Sequence, residues 1–248
     1  MASSRNWFAS GGEAYARFRP TYPDALAEFL ASVAPATGRA VDVGCGNGQF
    51  TCQLAAHFLS VIGVDPSADQ IGHAVAHDHV RYVRAPAEAT GLPAGGASLI
   101  TAAQAAHWFD LPRFYAEVRR IAAPDAVIAL ISYGIPQFDA EIDGRFQHFY
   151  RDEIGRYWPP ERALVETGYA GIDFPFAAIP WPAMTIRRDW DLAAFLGYVS
   201  TWSALRGVEE AGQMAVVDRF AGEMETLWGD PAANRLVTWP ISLRLGRV

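Results

Sequence analysis

The chain has 248 residues, 51% of them apolar, and its 27 acidic and 20 basic residues give a formal net charge of -7. This acidic balance disfavours a nucleic-acid partner, because phosphate binding uses clustered basic side chains. Every basic residue is an arginine, which excludes chemistry that requires a lysine amine.

The length fits one α/β domain with an insertion. The apolar runs are far shorter than the roughly 18 residues of a membrane helix, and the polar start lacks a signal-peptide segment. The two cysteines, Cys45 and Cys52, are close in sequence and are expected to be reduced. We therefore expect a soluble, cytoplasmic protein that acts on a small molecule, with no nucleic-acid or membrane partner and no metal site. The sequence does not indicate an oligomeric state.

Residues 1–37 contain a polar start, a motif from Tyr15 to Pro23 and a predicted helix. The apolar residues at positions 26, 29, 30 and 33 follow the helical period. Asp24 comes directly after a proline and is predicted to cap this helix.

From residue 39 to residue 133, short apolar runs alternate with helical segments. The predicted strands lie near residues 40–43, 61–64, 80–83, 98–102 and 126–131, and the predicted helices cover 49–58, 67–77 and 111–122. This rhythm implies right-handed crossovers and a parallel sheet that is covered on both faces. The sequence therefore predicts a doubly wound, Rossmann-like α/β domain.

The remainder of the chain loses this rhythm. It predicts helices over 139–157, 189–205 and 209–227, and strands over 176–187 and 235–245. The last strand alternates apolar and polar residues, as an edge or antiparallel strand does, and Pro240 suits an edge. We predict a single domain over residues 1–248. Its cofactor-binding core would comprise about 38–134, 174–187 and 235–246, and its lid and cap about 1–37, 135–173 and 188–234.

The strongest motif runs from Val41 to Gly48, between the first strand and a helix. Glycines at 44, 46 and 48 allow a tight turn and a close approach of the backbone to a ligand, although a glycine triplet can also be only a tight turn. The dinucleotide pattern would need a further glycine where Gln49 stands. Asp42 places a carboxylate in the strand end, which a ligand ammonium would compensate.

Asp65 ends the second strand. A carboxylate there can accept hydrogen bonds from both hydroxyls of a ribose. Its position alone fits a nicotinamide dinucleotide and S-adenosylmethionine equally well.

Four segments, taken in order, resemble class I S-adenosylmethionine-dependent methyltransferases. They are 41–48, 64–65, 85–93 and 104–110. More narrowly, they are similar to the methyltransferase type 11 group, which includes trans-aconitate methyltransferases. The resemblance implies a seven-stranded, mostly parallel sheet of order 3-2-1-4-5-7-6 with strand 7 antiparallel, a helical cap, and S-adenosylmethionine as cofactor.

The resemblance also implies which residues bind the cofactor. Gly44, Gly46 and Gly48 would pass beneath it, Asp42 would help to hold its amino group, Asp65 would bind the ribose, and Pro66 would pack beside the adenine. Many relatives carry an aspartate where this chain has Pro86, so adenine recognition is expected from the backbone of Ala87 or the side chain of Glu88. Gln104 and Ala105 would lie along the methionine moiety.

His107 is the candidate catalytic residue, because it lies at the carboxyl end of the fourth strand, where open α/β sheets bind ligands. It could orient or deprotonate a substrate hydroxyl, and Trp108 beside it could form a wall against the sulfonium or simply pack. Arg19 can clamp the cofactor's carboxylate while Tyr15 and Tyr22 close over the site, or the motif only shapes the entry to the first helix. For Tyr198, Thr201 and Trp202, substrate contact and cap packing remain open.

These features favour methyl transfer to a small-molecule acceptor, with O-methylation of a carboxylate or hydroxyl ahead of N- or C-methylation. A carboxylate acceptor would need no base. A nicotinamide-dependent oxidoreductase and a non-catalytic cofactor-binding module are the alternatives. Seven of the eight tryptophans flank the core, and only Trp108 lies within it. The flanking tryptophans, at positions 7, 158, 181, 190, 202, 228 and 239, are expected to cover the cofactor and form an apolar acceptor pocket.

Overall fold

A computed structural model describes residues 18–248 of the chain and has one mixed sheet at its centre. Tyr15 and Trp7 lie outside the described residues. The strands are β1 Arg39–Val43, β2 Ser60–Asp65, β3 Val80–Arg84, β4 Ala97–Ala103, β5 Ala122–Tyr133, β6 Ala177–Ala178, β7 Thr185–Trp190 and β8 Arg235–Arg247.

The order in the sheet is β3-β2-β1-β4-β5-β8-β6, and β7 also pairs with β8. Strands β1 to β5 are parallel, whereas β8 runs antiparallel to β5, β6 and β7. The predicted fold class and strand order are therefore confirmed, with β8 in the place of strand 7 and the pair β6 and β7 in the place of strand 6.

The last strand is antiparallel, and of the two alternatives that its alternating pattern left open, edge or antiparallel, the edge does not hold. β8 pairs with β5 on one side and with β6 and β7 on the other. Pro240 lies just past the last pair with β5, Tyr133 with Ile241, and its carbonyl accepts a hydrogen bond from the Gly134 amide. In a β-strand the N–H and C=O of one residue point to the same side. The N–H that Pro240 lacks would therefore point past the end of the pairing with β5, and no hydrogen bond between β5 and β8 is lost.

The strand predicted over 176–187 is divided into β6 and β7. Pro180 and Pro182 lie between the two parts, and a proline cannot donate to a strand ladder. β7 also extends to Trp190, three residues beyond the predicted end.

The α-helices of the described residues alternate with the parallel strands and then form the cap. They are α1 Asp24–Val33, α2 Gln49–Leu54, α3 Ala68–Gly72, α4 Leu111–Ile121, α5 Ala140–His148, α6 Arg162–Glu166, α7 Leu192–Ser200, α8 Ser203–Glu210 and α9 Ala215–Trp228. Asp24 is the first residue of α1 rather than its cap. Pro23 occupies the cap position, and Asp24 accepts a hydrogen bond from Gln53 instead.

Long predicted helices end earlier or are interrupted. The segment predicted over 139–157 is α5 followed by a π-helical turn, Phe149–Glu153, and a 3-10 turn, Gly155–Tyr157. The segment over 189–205 begins in β7 and breaks at Thr201 and Trp202, between α7 and α8. None of the helices in residues 18–248 is both long and apolar enough to cross a membrane.

Two hydrophobic clusters cover the two faces of the sheet. Along β5, Val127, Ala129 and Ile131 enter one cluster while Ile128 and Leu130 enter the other. This alternation is the two-residue period of a strand, and a sheet that is buried on both faces is typical of the doubly wound class. The first cluster continues into the cap, so α1, α2 and the cap helices share one core.

Candidate active site

A pocket of about 430 Å³ opens at the carboxyl ends of the parallel strands. The end of β1, the loops after β2 and β4, and the segment before α1 all contribute to it. The sequence-predicted residues that line it are Arg19, Tyr22, Asp42, Gly44, Gly46, Asp65, Pro66, Ala87, Glu88, Gln104, Ala105 and Trp108. The structure thus brings together residues from the whole first half of the chain in one space of ligand size.

Gly44 brings the loop after β1 against the loop after β4. Its φ is 71°, a left-handed value that favours glycine, and a Cβ at this position would collide with the side chain of Ala105. The amides of Gly44 and Cys45 both donate to the carbonyl of Val64, at 2.7 and 3.1 Å. The loop is therefore fixed between β2 and β4 before any ligand binds.

Gly48, expected beneath the cofactor, does not line this pocket. It starts α2 with a φ of 82°, and a Cβ there would collide with the hydroxyl of Tyr82 on β3. That hydroxyl donates to the carbonyl of Val75 at 2.8 Å. The contacts of Gly48 are those of close packing against β3.

Asp42 is almost fully buried in the floor of the pocket, with 1% of its surface exposed. Its two carboxylate oxygens accept hydrogen bonds from the hydroxyls of Thr51 and Thr101, each at 2.7 Å. Burial raises the pKa of Asp42 to about 6, although the two threonine hydrogen bonds oppose the rise. The carboxylate therefore titrates close to neutrality and gains from any positive charge in the pocket.

Asp65 joins the end of β2 to the glycine loop. It accepts hydrogen bonds from the amides of Gly46 and Ser67, both at 2.9 Å. Burial raises its pKa, and these two backbone bonds oppose that effect. Each carboxylate oxygen has a second lone pair, so the group can still accept hydrogen bonds from a ligand diol.

The pocket wall around Pro66, Pro86 and Ala87 includes a residue that the sequence did not reveal. Gln70 lines the pocket, is 4% exposed, and its Oε1 makes no hydrogen bond to residues 18–248. Ser67 caps α3 and accepts a hydrogen bond from the backbone amide of Gln70, which fixes the backbone of Gln70 in the first turn of this helix. A cap residue followed three positions later by glutamine is the signal that could have found it.

Glu88 also lines this wall, but its carboxylate is already engaged. Its Oε1 accepts a hydrogen bond from the amide of Asp110 at 2.9 Å. Asp110 is the N-cap of α4, so this bond ties the loop after β3 to the start of that helix.

The opposite end of the pocket is formed by Arg19, Tyr22, Gln104, Trp108 and Tyr133. Gln104 has a φ of 51° and its Nε2 donates to the carbonyl of Tyr133 at 2.9 Å. The Arg19 guanidinium donates to the carbonyl of Thr201 at 3.2 Å and to the hydroxyl of Tyr133 at 3.5 Å. Tyr133 is the last residue of β5, and no motif in the sequence pointed to it.

Two of the predicted substrate contacts lie behind Arg19. The guanidinium carbon is 5.5 Å from the centre of the Tyr198 ring, and Thr201 offers Arg19 its backbone carbonyl while its own hydroxyl donates to the carbonyl of Tyr198. Neither residue lines the pocket. Both hold Arg19 in place from the cap.

His107 lies on the 3-10 turn Ala106–Trp108 after β4, beside the pocket rather than in its lining. Its ring centre is 4.8 Å from that of Trp108, and its Nδ1 is 2.9 Å from the hydroxyl of Tyr169. Burial lowers the pKa of His107 to about 3, and the positive charges of Arg162 and Arg19 lower it further. The imidazole is therefore neutral at physiological pH.

Arg162 is the first residue of α6, and it was not identified from the sequence. Its Nε donates to the hydroxyl of Tyr150 at 2.8 Å, and its guanidinium carbon is 4.8 Å from the centre of the Trp158 ring. The Tyr150 hydroxyl in turn donates to Glu166 at 2.6 Å. The two terminal guanidinium nitrogens of Arg162 make no hydrogen bond to any residue in 18–248.

Trp202 packs inside the cap. It is 4% exposed, and its ring lies 5.5 Å from Tyr150, 5.4 Å from Trp158 and 5.5 Å from Tyr198. Of the tryptophans in the described part of the chain, Trp108 is the one that lines the pocket. The expectation that the flanking tryptophans cover the cofactor is therefore wrong for residues 18–248, where they lie in or against the first hydrophobic cluster instead.

Comparison with known proteins identifies the family. A family model for a methyltransferase domain matches residues 41–130. A methyltransferase of Dictyostelium discoideum is 36% identical over 214 residues, which are 85% of this chain and 81% of the relative. An S-adenosylmethionine-dependent methyltransferase of Saccharomyces cerevisiae is 26% identical over 63% of this chain and 58% of its own length.

Among solved structures, a type II methyltransferase from Anaeromyxobacter dehalogenans has a TM-score of 0.87 and is 45% identical, over 93% of this chain and 98% of that one. The chain therefore belongs to the class I S-adenosylmethionine-dependent methyltransferases. It is an enzyme whose cofactor is S-adenosylmethionine. The oxidoreductase and the non-catalytic module are set aside.

Proposed function

We propose that this enzyme transfers a methyl group to an oxygen of a small acid, with a carboxylate as the nucleophile, and that it acts in the cytoplasm. The observation that carries the proposal is the neutral His107, whose pKa is lowered by burial and, beyond that, by the positive charges of Arg162 and Arg19. A base with a pKa of about 3 is poorly matched to proton removal from a hydroxyl or an ammonium near neutral pH. An ionised carboxylate has no proton to lose and is attracted by the same positive charges.

The cofactor pocket fits S-adenosylmethionine at both ends. Asp65 offers acceptor lone pairs to the ribose hydroxyls, and Gln70 adds a buried acceptor in the same wall. Asp42 and Arg19 both line the pocket; Asp42 would hold the ammonium of the methionine moiety, and Arg19 would hold its carboxylate. Each charge of the amino-acid end thus meets an opposite charge in the pocket.

When bound, S-adenosylmethionine supplies a methyl group on a positively charged sulfur, which keeps the electron pair of the broken C–S bond as the acceptor oxygen bonds to carbon. Trp108 can lie beside this positive charge, where an aromatic face gains roughly 0.5–2 kcal/mol. The protein then supplies alignment and exclusion of water. No proton is transferred in this step.

Arg162 is the group that favours an acid over an amine as the acceptor. Its guanidinium is held by Tyr150 and Trp158, its side chain is 16% exposed, and it is close enough to lower the pKa of His107. Arg19 is engaged by the cofactor's carboxylate in this scheme. The Nε of Arg162 is 3.9 Å from Oε1 of Glu166, and its two terminal nitrogens remain for the acceptor. A protonated amine would be repelled by the same charge.

Initial rates with a panel of small carboxylic acids, and with their amide, alcohol and amine analogues, test the proposal. Acids are expected to be methylated first. Arg162→Gln should raise the KM for the best acid by about tenfold, equivalent to about 1.4 kcal/mol, and leave the Kd of S-adenosylmethionine unchanged. Arg156→Gln is the matched control, because Arg156 is exposed in the same segment. Preferential methylation of amines, or an unchanged KM in Arg162→Gln, would contradict the proposal.

A further inference from the structure

Tyr169 combines full burial with an unusual backbone conformation. It is 0% exposed and has a φ of 63°, left-handed for a residue that is not glycine. Such a conformation is strained and persists only where the surroundings hold it. Here the Tyr169 amide donates to the carbonyl of Leu164 at 2.8 Å, and the ring packs in the second hydrophobic cluster.

The contact that this conformation produces is with His107. The chain turns back just after α6 and directs the phenol to the 3-10 turn after β4, where its hydroxyl meets Nδ1 at 2.9 Å. The other ring nitrogen of His107, Nε2, makes no hydrogen bond to residues 18–248. One nitrogen of the neutral ring is therefore held by the protein.

The direction of the proton in this contact follows from acid and base strength. A neutral imidazole carries one N–H, and the other nitrogen is an acceptor. A phenol, with a pKa near 10, is a stronger acid than a neutral imidazole N–H, and an imidazole nitrogen is a stronger base than a phenol oxygen. The better-matched hydrogen bond is thus donated by Tyr169 and accepted by Nδ1, which leaves the proton of His107 on Nε2.

We infer that Tyr169 is a positioning residue that holds His107 as the Nε2–H tautomer, so that His107 donates a hydrogen bond to the acceptor oxygen instead of removing a proton. The tautomer follows from the contact itself, whereas its use toward a carboxylate rests on the proposed function. A second consequence concerns α6. This helix carries Arg162 at its start and has Tyr169 three residues beyond its end, so the same contact also fixes the place of Arg162.

The test is ¹⁵N NMR of the histidine side chains in the full-length, cofactor-free protein at pH 7, with His107 assigned by the signals that disappear in His107→Gln. Wild type is expected to show a protonated Nε2 and an unprotonated Nδ1. In Tyr169→Phe the Nδ1 resonance should move downfield, because its lone pair loses the hydroxyl proton.

Tyr115→Phe is the matched control. Tyr115 is also buried in the second cluster, and its hydroxyl donates to the carbonyl of Asp173, so its removal should leave the His107 signals unchanged. A protonated Nδ1 in wild type, or an Nδ1 resonance that Tyr169→Phe does not move, would overturn the inference. Since no acceptor is present in this experiment, its result is independent of whether acids are methylated.

Discussion

We predict that Asp42 makes cofactor binding depend on pH, because its proposed partner is the ammonium of the cofactor. In the cofactor-free protein, burial places its pKa at about 6, and the ammonium of the cofactor stabilises the ionised form. Binding therefore releases a proton, and affinity falls as the pH falls below about 6. If only the ionised form binds, the apparent Kd at pH 5 is about tenfold weaker than at pH 7, which is about 1.4 kcal/mol.

Isothermal titration with S-adenosylhomocysteine between pH 5 and pH 8 measures this effect, since that product keeps the ammonium group. Asp42→Asn should bind more weakly at pH 7 and lose most of the slope below pH 6. Asp24→Asn makes the same change on an exposed residue and should behave like wild type. An affinity that is constant from pH 5 to pH 7, or an Asp42→Asn variant that keeps the full slope, would refute the reasoning.

The raised pKa of Asp42 also affects folding stability, with the opposite dependence on pH: cofactor affinity is expected to rise with pH, whereas the stability of the cofactor-free protein is expected to fall. A pKa of about 6 in place of 3.8 corresponds to a cost of about 3 kcal/mol for the ionised carboxylate in the folded, cofactor-free protein. The contribution of Asp42 to stability is therefore highest below pH 3.8 and falls as the pH rises to about 6. Asp42→Asn should raise the Tm of the cofactor-free protein at pH 7, and the advantage should shrink at pH 4.5.

Two further predictions concern the glycine loop and the reacting end of the site. Gly48→Ala should lower the free energy of urea unfolding by more than Gly91→Ala, because both residues have a left-handed φ but only a Cβ at 48 meets a neighbour. A left-handed residue other than glycine costs roughly 1–2 kcal/mol, so the control should lose about that amount, and equal losses would show that the contact with β3 is unimportant. For His107, glutamine places an amide N–H near Nε2 and asparagine near Nδ1. His107→Gln should therefore retain at least about tenfold more kcat/KM on an acid acceptor than His107→Asn, whereas equal losses in both variants would indicate a base.

The cofactor half of the enzyme could be predicted from the sequence because its determinants are local. The apolar runs of the first five strands alternate with helices at regular spacing, and short parallel units of this kind assemble in a limited number of ways. The pocket residues of that half, such as Gly44, Asp42 and Asp65, each lie within a residue or two of a strand end. Reading the strand ends was therefore enough to find them.

The acceptor half depends on contacts between distant segments. Tyr169 meets His107 across 62 positions, and Arg19 reaches the Thr201 carbonyl across 182. The hydrophobic periodicity of the sequence, which is a local pattern, predicts neither contact. The break in the strand before β7 did have a local cause, in Pro180 and Pro182, and could have been expected from the proline pair.

The tryptophans show why composition alone misled. A cap that extends the core on one face of the sheet needs large apolar side chains. Trp202 and Trp228 are two of them, and they pack on Tyr150 and Phe195. Sequence position assigned both to the cap. It did not show that the cap has an interior separate from the pocket.

The identity of the atom that receives the methyl group tests the central claim most directly. The enzyme can be incubated with S-adenosylmethionine labelled with ¹³C in the methyl group and the small-molecule fraction of a cell extract, and the products read by ¹³C NMR. We predict the chemical shift of a methyl ester, with one S-adenosylhomocysteine formed for each ester. Label that appears on nitrogen or carbon would contradict the account.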